Sequence, residues 1–210
     1  SITVDDLKKI WDPTAQGTIT KWNQINPAWP DAEFKLYGPG ADSGTFDYFT
    51  EAIMGKAKAS RNDYTMSEDD NVIVQAVSRD VNALGYFGYP YYQENSKKLK
   101  AAAIVAKDAK AAVLPSVKSV VDASYQPLAR PLFIYVNAKA DERPEVRAFV
   151  DYYLNNAEAA AKQTKYIPLS LKDYRHTAVN YKVKKTGTAF GGEPEVGVTI
   201  EELLKREPKN

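Results

Sequence analysis

Gly38-Pro39-Gly40-Ala41-Asp42-Ser43-Gly44-Thr45-Phe46-Asp47-Tyr48-Phe49 is the stretch on which the reading of this chain turns. Before it, Glu33–Tyr37 has the make-up of a short strand, and the glycines and proline at 38–40 mark its end. After it, Phe46, Phe49 and Ile53 recur at helical spacing, which predicts a helix over Thr45–Met54. A strand thus runs through a glycine-rich turn into a helix. The first N–H groups of that helix lack intrahelical partners and carry partial positive charge. The hydroxyls of Ser43 and Thr45 add donors, and Gly44 lets a ligand approach the backbone closely. This is the chemistry of an oxyanion site. A plainer reading stays open beside it, in which Ser43 only caps its helix.

Outward from this turn, short strands alternate with amphipathic helices. Asp5–Trp11 reads as a helix with Leu7, Ile10 and Trp11 on one face. Pro13–Asp31 reads as a long ordered loop pinned by Trp22 and Trp29. Ser67 is expected to cap a helix reaching about Ser78, with Asp70 completing a capping box. Ala83–Tyr89 and Leu99–Val105 read as strands, and Pro131–Val136 as the clearest buried strand of the chain. Pro144–Asn155 reads as a helix with Val146, Phe149, Val150, Tyr153 and Leu154 inward, extended or restarted over Ala157–Gln163. Ser170–Tyr181 and Thr199–Arg206 are further helices, the last with Glu202 completing a capping box. The Gly- and Thr-rich tail from Lys182 to Glu195 is expected to wrap a surface. Such alternation means an α/β fold with a mostly parallel or mixed sheet. A turn-rich break near Ser124–Arg130 divides it into 1–126 and 127–210.

Composition removes whole classes of function. The 210 residues suit one large domain or two small lobes. With 28 basic residues against 27 acidic ones, nothing marks a nucleic-acid-binding chain. The absence of cysteine excludes disulfides, thiolate zinc sites, iron–sulfur clusters and cysteine nucleophiles. The single histidine, His176, excludes two-histidine metal sites. It falls mid-helix and reads as a surface or half-buried residue, not as a general base. No run approaches the roughly 18 apolar residues of a membrane span. No signal-peptide pattern stands at Ser1, so an export signal is expected to be already absent.

Familiar catalytic motifs fail on inspection. The glycines at 38, 40 and 44 give G-x-G-x-x-x-G, one residue longer than the dinucleotide fingerprint. No P-loop and no G-x-S-x-G elbow exist. Lys185-Thr186-Gly187 lacks the S-x-x-K partner that would give it meaning. Glu68-Asp69-Asp70 lacks calcium-loop spacing and reads as an acidic first helical turn. The run from Tyr86 to Tyr92 reads as core strand and lobe surface more readily than as a sugar cleft. Arg61 is a candidate oxyanion partner only if the fold carries it to Ser43. Neither metal nor cofactor is expected.

Several separated segments resemble the phosphate-binding proteins of phosphate ABC transporters. They are 38–53, then Ser67–Val77 followed by Ala83–Tyr89, then Pro127–Val136. Lys185–Gly192 and Val196–Leu204 follow in the same order. The resemblance implies a two-lobed, class II periplasmic-binding-protein-like α/β fold with mixed sheets. One lobe is expected to be incomplete, 1–126 being the second lobe and 127–210 the C-terminal part of the first. It implies a noncatalytic receptor in the periplasm or on the cell surface, taking inorganic phosphate and presenting it to an ABC transporter permease. Ser43, Gly44 and Thr45 match the family's ligands. Its better-known branch has an arginine where this chain has Pro39, so Arg61 is expected to supply the charge and Asp42 to orient it or the turn. The resemblance also implies that an N-terminal part of lobe one, with an aspartate ligand, is missing. That missing segment, a second chain or a rearranged tail would then cover exposed apolar surface. The alternatives are an interaction module that no longer binds phosphate, or an enzyme acting on a phosphorylated substrate.

Overall fold

The computed structural model describes residues 1–190 and 195–206, and the chain divides into two compact units, Ser1–Leu128 and Ala129–Asn210. In the first unit, Ile2–Thr3 (β1) leads directly into Val4–Trp11 (α1). Thr3 Oγ1 accepts from the Asp6 N–H at 3.0 Å, and the Asp6 carboxylate accepts from the Thr3 N–H at 3.2 Å. Two donors that a helix start leaves open are thereby satisfied. Leu7, Ile10 and Trp11 are buried, as their spacing predicts. The stretch expected as a loop holds a 3-10 turn at Pro13–Ala15 and a short helix, Trp22–Ile25 (α2). Trp22 and Trp29 meet edge to face at 5.8 Å.

Lys35–Gly38 (β2) and Gly44–Met54 (α3) follow, then Thr65–Met66 (β3), Asp70–Val77 (α4), Ala83–Gly85 (β4) and Tyr89–Asn95 (α5). Ile104–Val105 (β5) and Val117–Val121 (α6) complete the unit. β2 is the centre of a parallel three-stranded sheet ordered β3-β2-β4, with Tyr37 opposite Thr65 and Leu36 opposite Leu84. β1 and β5 form a separate parallel pair, and Ile104 bridges antiparallel to Val113. Parallel neighbours need crossovers, and α3 and α4 provide them. Strand order reverses at β2, because β3 lies on one side of it and β4 on the other. That makes its C-terminal end a topological switch point.

The core explains why these elements hold. The Trp11 ring meets Phe49, Tyr64 and Tyr86 edge to face at 5.7, 5.2 and 5.0 Å, and Phe49 stacks on Tyr86 at 3.8 Å. Behind β4, α4 approaches so closely that a Cβ at Gly85 would stand 2.7 Å from Val77 Cγ2.

Three expectations for this unit shift. α4 is capped by Asp69 and not by Ser67: the Asp69 carboxylate accepts from the Asn71 N–H at 2.9 Å. The strand expected over Ala83–Tyr89 stops at Gly85, because Pro90 in the first turn of α5 is preorganised for a helix start. The strand expected from Leu99 forms only at Ile104–Val105.

The second unit is built of helices: Pro144–Gln163 (α7), Leu171–Lys182 (α8) and Ile200–Lys205 (α9). Buried Asp141, in a 3-10 turn before α7, accepts from the Tyr181 hydroxyl of α8 at 2.5 Å. Its backbone carbonyl accepts from Arg147 Nε at 2.7 Å. Among the described residues Pro131–Val136 forms no strand, and Leu132, Phe133, Ile134 and Tyr135 are exposed, contrary to the buried strand expected from its apolar composition. Of the α7 residues expected inward, Val150 is buried, whereas Phe149 and Tyr153 are exposed. Thr199 caps α9, but the Glu202 carboxylate turns to Arg206 at 3.1 Å instead of closing a box. Of the tail, 191–194 lie outside the described residues, and with them Gly191 and Gly192 of the 185–192 motif.

Candidate anion-binding site

β2 delivers the chain to Gly38, Pro39 and Gly40, all buried, at the switch point. The Ser67 N–H donates to the Gly38 carbonyl at 3.1 Å, and the Tyr64 hydroxyl donates to that of Pro39 at 2.9 Å. The end of the strand is thus held from the β3 side. The Ser43 N–H donates to the Gly40 carbonyl at 3.1 Å, which closes the turn, and α3 begins at Gly44. Ser43 Oγ accepts from the Thr45 N–H at 3.1 Å. The capping reading of Ser43 is therefore correct, and it does not compete with the other one. A hydroxyl that accepts still holds a proton to donate. Gly44 is exposed and, as the first helical residue, its N–H has no intrahelical acceptor. The half-buried Thr45 hydroxyl makes no hydrogen bond among the described residues. Three donors on consecutive residues thus stand at one helix start.

The surroundings are acidic. β3 and β4 run parallel to β2, so α4 and α5 start at the same sheet edge as α3. The parallel register sets Glu68 beside Gly40, so close that a Cβ there would lie 2.1 Å from Glu68 Oε1. Asp69 caps α4 and Asp70 opens it. Burial, and then the neighbouring Asp69 charge, raises the Asp70 pKa, while the Gly88 N–H bonded to its carboxyl opposes the shift. Glu68–Asp70 are helix-start residues, as their position suggests. Among the described residues no His, Cys, Asp and Glu are grouped to hold a metal ion. Asp42 is exposed in the turn and its carboxylate bonds to none of the described residues. Nothing in the structure shows it orienting Arg61.

Arg61 has a different job from the one expected of it. It is 3% exposed, with Nε donating to Asp63 Oδ1 at 2.5 Å and an Nη2 proton to Asp63 Oδ2 at 2.8 Å. Nη1 donates to the carbonyls of Ile10 and Ile19 at 3.1 and 2.9 Å. The guanidinium lies 5.9 Å from the ring of Phe34, which immediately precedes β2. Ser43 lies beyond the other end of that strand. Arg61 and the turn therefore sit at opposite edges of the sheet, and Arg61 ties α1 and the Ile19 segment together. Its partner Asp63 stands only two residues on, a local signal that the sequence reading missed. The two carbonyls, contributed from far along the chain, give no such signal. Arg61 first, and the Gly17 N–H after it, lower the Asp63 pKa to about 2 against the opposing effect of burial. His176 is exposed on α8.

Among the described residues no helix is long and apolar enough to cross a membrane. The family model of the PBP superfamily domain matches residues 1–157. Protein SphX of Synechocystis sp. is 50% identical over 208 residues, 99% of this chain and 61% of that protein. Phosphate-binding protein PstS of Staphylococcus saprophyticus is 36% identical over 176 residues, 82% of this chain and 52% of that protein. The crystal structure of a possible phosphate binding protein from Planctomyces limnophilus superposes with a TM-score of 0.73 at 40% identity. The match covers 87% of this chain and 64% of that one. The chain spans about three fifths of the length of the SphX proteins it matches. By the match over residues 1–157 and the α/β architecture that carries it, this chain belongs to the PBP superfamily.

Proposed function

We propose that this chain is part of a noncatalytic receptor that captures inorganic phosphate outside the cytoplasm, in the periplasm or at the cell surface, for an ABC transporter permease. The observation that carries this reading is the Ser43-Gly44-Thr45 helix start. It holds unspent donors at a switch point, in a chain similar to proteins named for phosphate binding. The residues assigned to phosphate are Ser43, Gly44 and Thr45, with Asp42 shaping the turn and Arg61 acting as scaffold. In this reading 1–126 is one lobe and 127–210 part of the other.

Phosphate would be held by hydrogen bonds from the Ser43 and Thr45 hydroxyls and the Gly44 N–H. The field of the helix start contributes about 0.3–1 kcal/mol. Each hydrogen bond to a charged oxygen contributes about 1.5–3 kcal/mol, so the donors dominate. An acidic rim beside the turn, with the Arg61 guanidinium engaged by Asp63 and two backbone carbonyls, fits capture by oriented dipoles more than by pairing with Arg61.

Calorimetric titration with phosphate, with sulfate as control, tests the reading. Saturable phosphate binding is expected. Thr45→Val, which keeps shape and removes one donor, is expected to weaken it about tenfold, the equivalent of about 1.4 kcal/mol. A chain silent to phosphate, or one that binds sulfate equally well, would overturn the reading.

A further inference from the structure

Tyr48 stands on α3 one turn after Thr45, so the two side chains are neighbours on one flank of the helix. The helix ladder sets the Tyr48 N–H on the Gly44 carbonyl, within the first turn that carries the anion donors. At the far end of the side chain, the half-buried Tyr48 hydroxyl donates to the Pro127 carbonyl at 2.7 Å. Pro127 lies one residue before Leu128, where the first unit ends. The segment leading to it is held from a second side. The Tyr125 N–H donates to the carbonyl of buried Ser119 at 2.8 Å, and Ser119 Oγ donates to the Leu114 carbonyl at 2.7 Å. Tyr125 and Leu128 also pack against the core that holds Phe46 and Phe49 of α3. α3 thus carries the anion turn at its start and grips, one turn later, the segment by which the chain leaves the unit.

The polar part of this grip is slight. Beside each bonded residue stands a buried acceptor with no hydrogen-bond partner among the described residues: Asp47 Oδ1 next to Tyr48 in sequence, and Gln126 Oε1 next to Pro127. Burying oxygens that no donor reaches works against the contact, and Pro127 has no N–H to offer them. A contact with so little to spare responds to small changes in α3. We propose that Tyr48 is a positioning residue of the anion site, whose hydroxyl ties the order of the exit segment 125–128 to occupancy of the Ser43–Thr45 turn. An anion held by Ser43, Gly44 and Thr45 fixes the first turn, and with it the Tyr48 ring against Pro127. The single proton of the hydroxyl is engaged by Pro127, so Tyr48 acts through this contact and not as a further anion donor. Coupling of this kind is reciprocal: the bond favours the anion by the factor by which the anion favours the bond. The inference rests on the anion reading above.

Tyr48→Phe, which keeps the ring and removes the hydroxyl, tests it. Calorimetric titration with phosphate is expected to give a Kd about fivefold weaker than that of the unaltered chain, the low end of such couplings. Hydrogen exchange supplies a second readout at the Tyr125 amide, measured against the Val113 amide, which donates to the Ile104 carbonyl of β5. In the unaltered chain, saturating phosphate is expected to slow Tyr125 about fivefold beyond any slowing at Val113. In Tyr48→Phe that excess is expected to vanish. A hydroxyl with only a structural part would speed exchange at Tyr125 with and without phosphate, keep the excess and leave the Kd alone. That result would overturn the proposal while leaving the anion reading intact, and so would a weaker Kd with the excess retained. An unaltered chain silent to phosphate would overturn the anion reading and this inference with it.

Discussion

Trp11 and Phe149 are both large aromatics on helices, yet Trp11 is 1% exposed and Phe149 is 68% exposed. Trp11 sits where α1 meets α3, ringed by Phe49, Tyr64 and Tyr86. Phe149 has Tyr153 one turn along the same face of α7, with ring centres 6.4 Å apart, and this stripe stays open to water. The difference teaches that amphipathicity reports which side chains share a face. Whether a face is covered depends on what else is there to lie on it. The first unit has sheets to supply cover, and the second has its helices and an unpaired run.

The sharpest way to break this contrast is to delete both rings. Trp11→Ala is expected to destabilise the first unit by about 3–5 kcal/mol, as seen in its denaturation midpoint. Phe149→Ala is expected to stay within about 0.5 kcal/mol. Equal costs would erase the distinction between the units.

A smaller effect should come from adding a single methyl behind the sheet. In Gly85→Ala the new carbon would meet Val77 Cγ2 at 2.7 Å, Ile73 Cγ2 at 3.3 Å and the Tyr37 carbonyl at 3.3 Å. Backbone and helix-borne methyls cannot swing aside, so a loss of about 1–3 kcal/mol is expected in thermal unfolding.

The mildest test is acid. The folded Asp63 carboxyl titrates at about 2, below the roughly 3.9 of an unfolded aspartate. Its contribution is therefore complete above about pH 4 and is lost as the pH falls towards 2. The first unit should lose stability across that window, and Asp63→Asn should flatten the response. An unchanged acid limb in the variant would mean that the Arg61 pair does not govern it.

Much of the first unit was legible because local signals agreed with the packing. The Ser43 cap, the spacing of Leu7, Ile10 and Trp11, and that of Phe46, Phe49 and Ile53 all point one way. The anion turn was legible for the same reason, since a strand, glycines and a hydroxyl cap are contiguous. Three features were not. Tyr86–Tyr92 has strand-like composition, and only Pro90 hints that a helix has begun. Arg61 looked like a loop cation because the Ile10 and Ile19 carbonyls that bury it are distant in sequence. Pro131–Val136 has the composition of a buried strand, but composition does not say where its neighbours come from.

Ser43 accepts the Thr45 N–H with its oxygen and keeps its proton. Aspartate and serine are near-equal caps, so α3 would tolerate either. The carboxylate, however, has no proton to offer and would repel an anion. If the turn binds phosphate, a lineage released from that task could drift from serine to aspartate without losing stability. Receptors that have fallen silent would then be recognisable among intact folds by this one position.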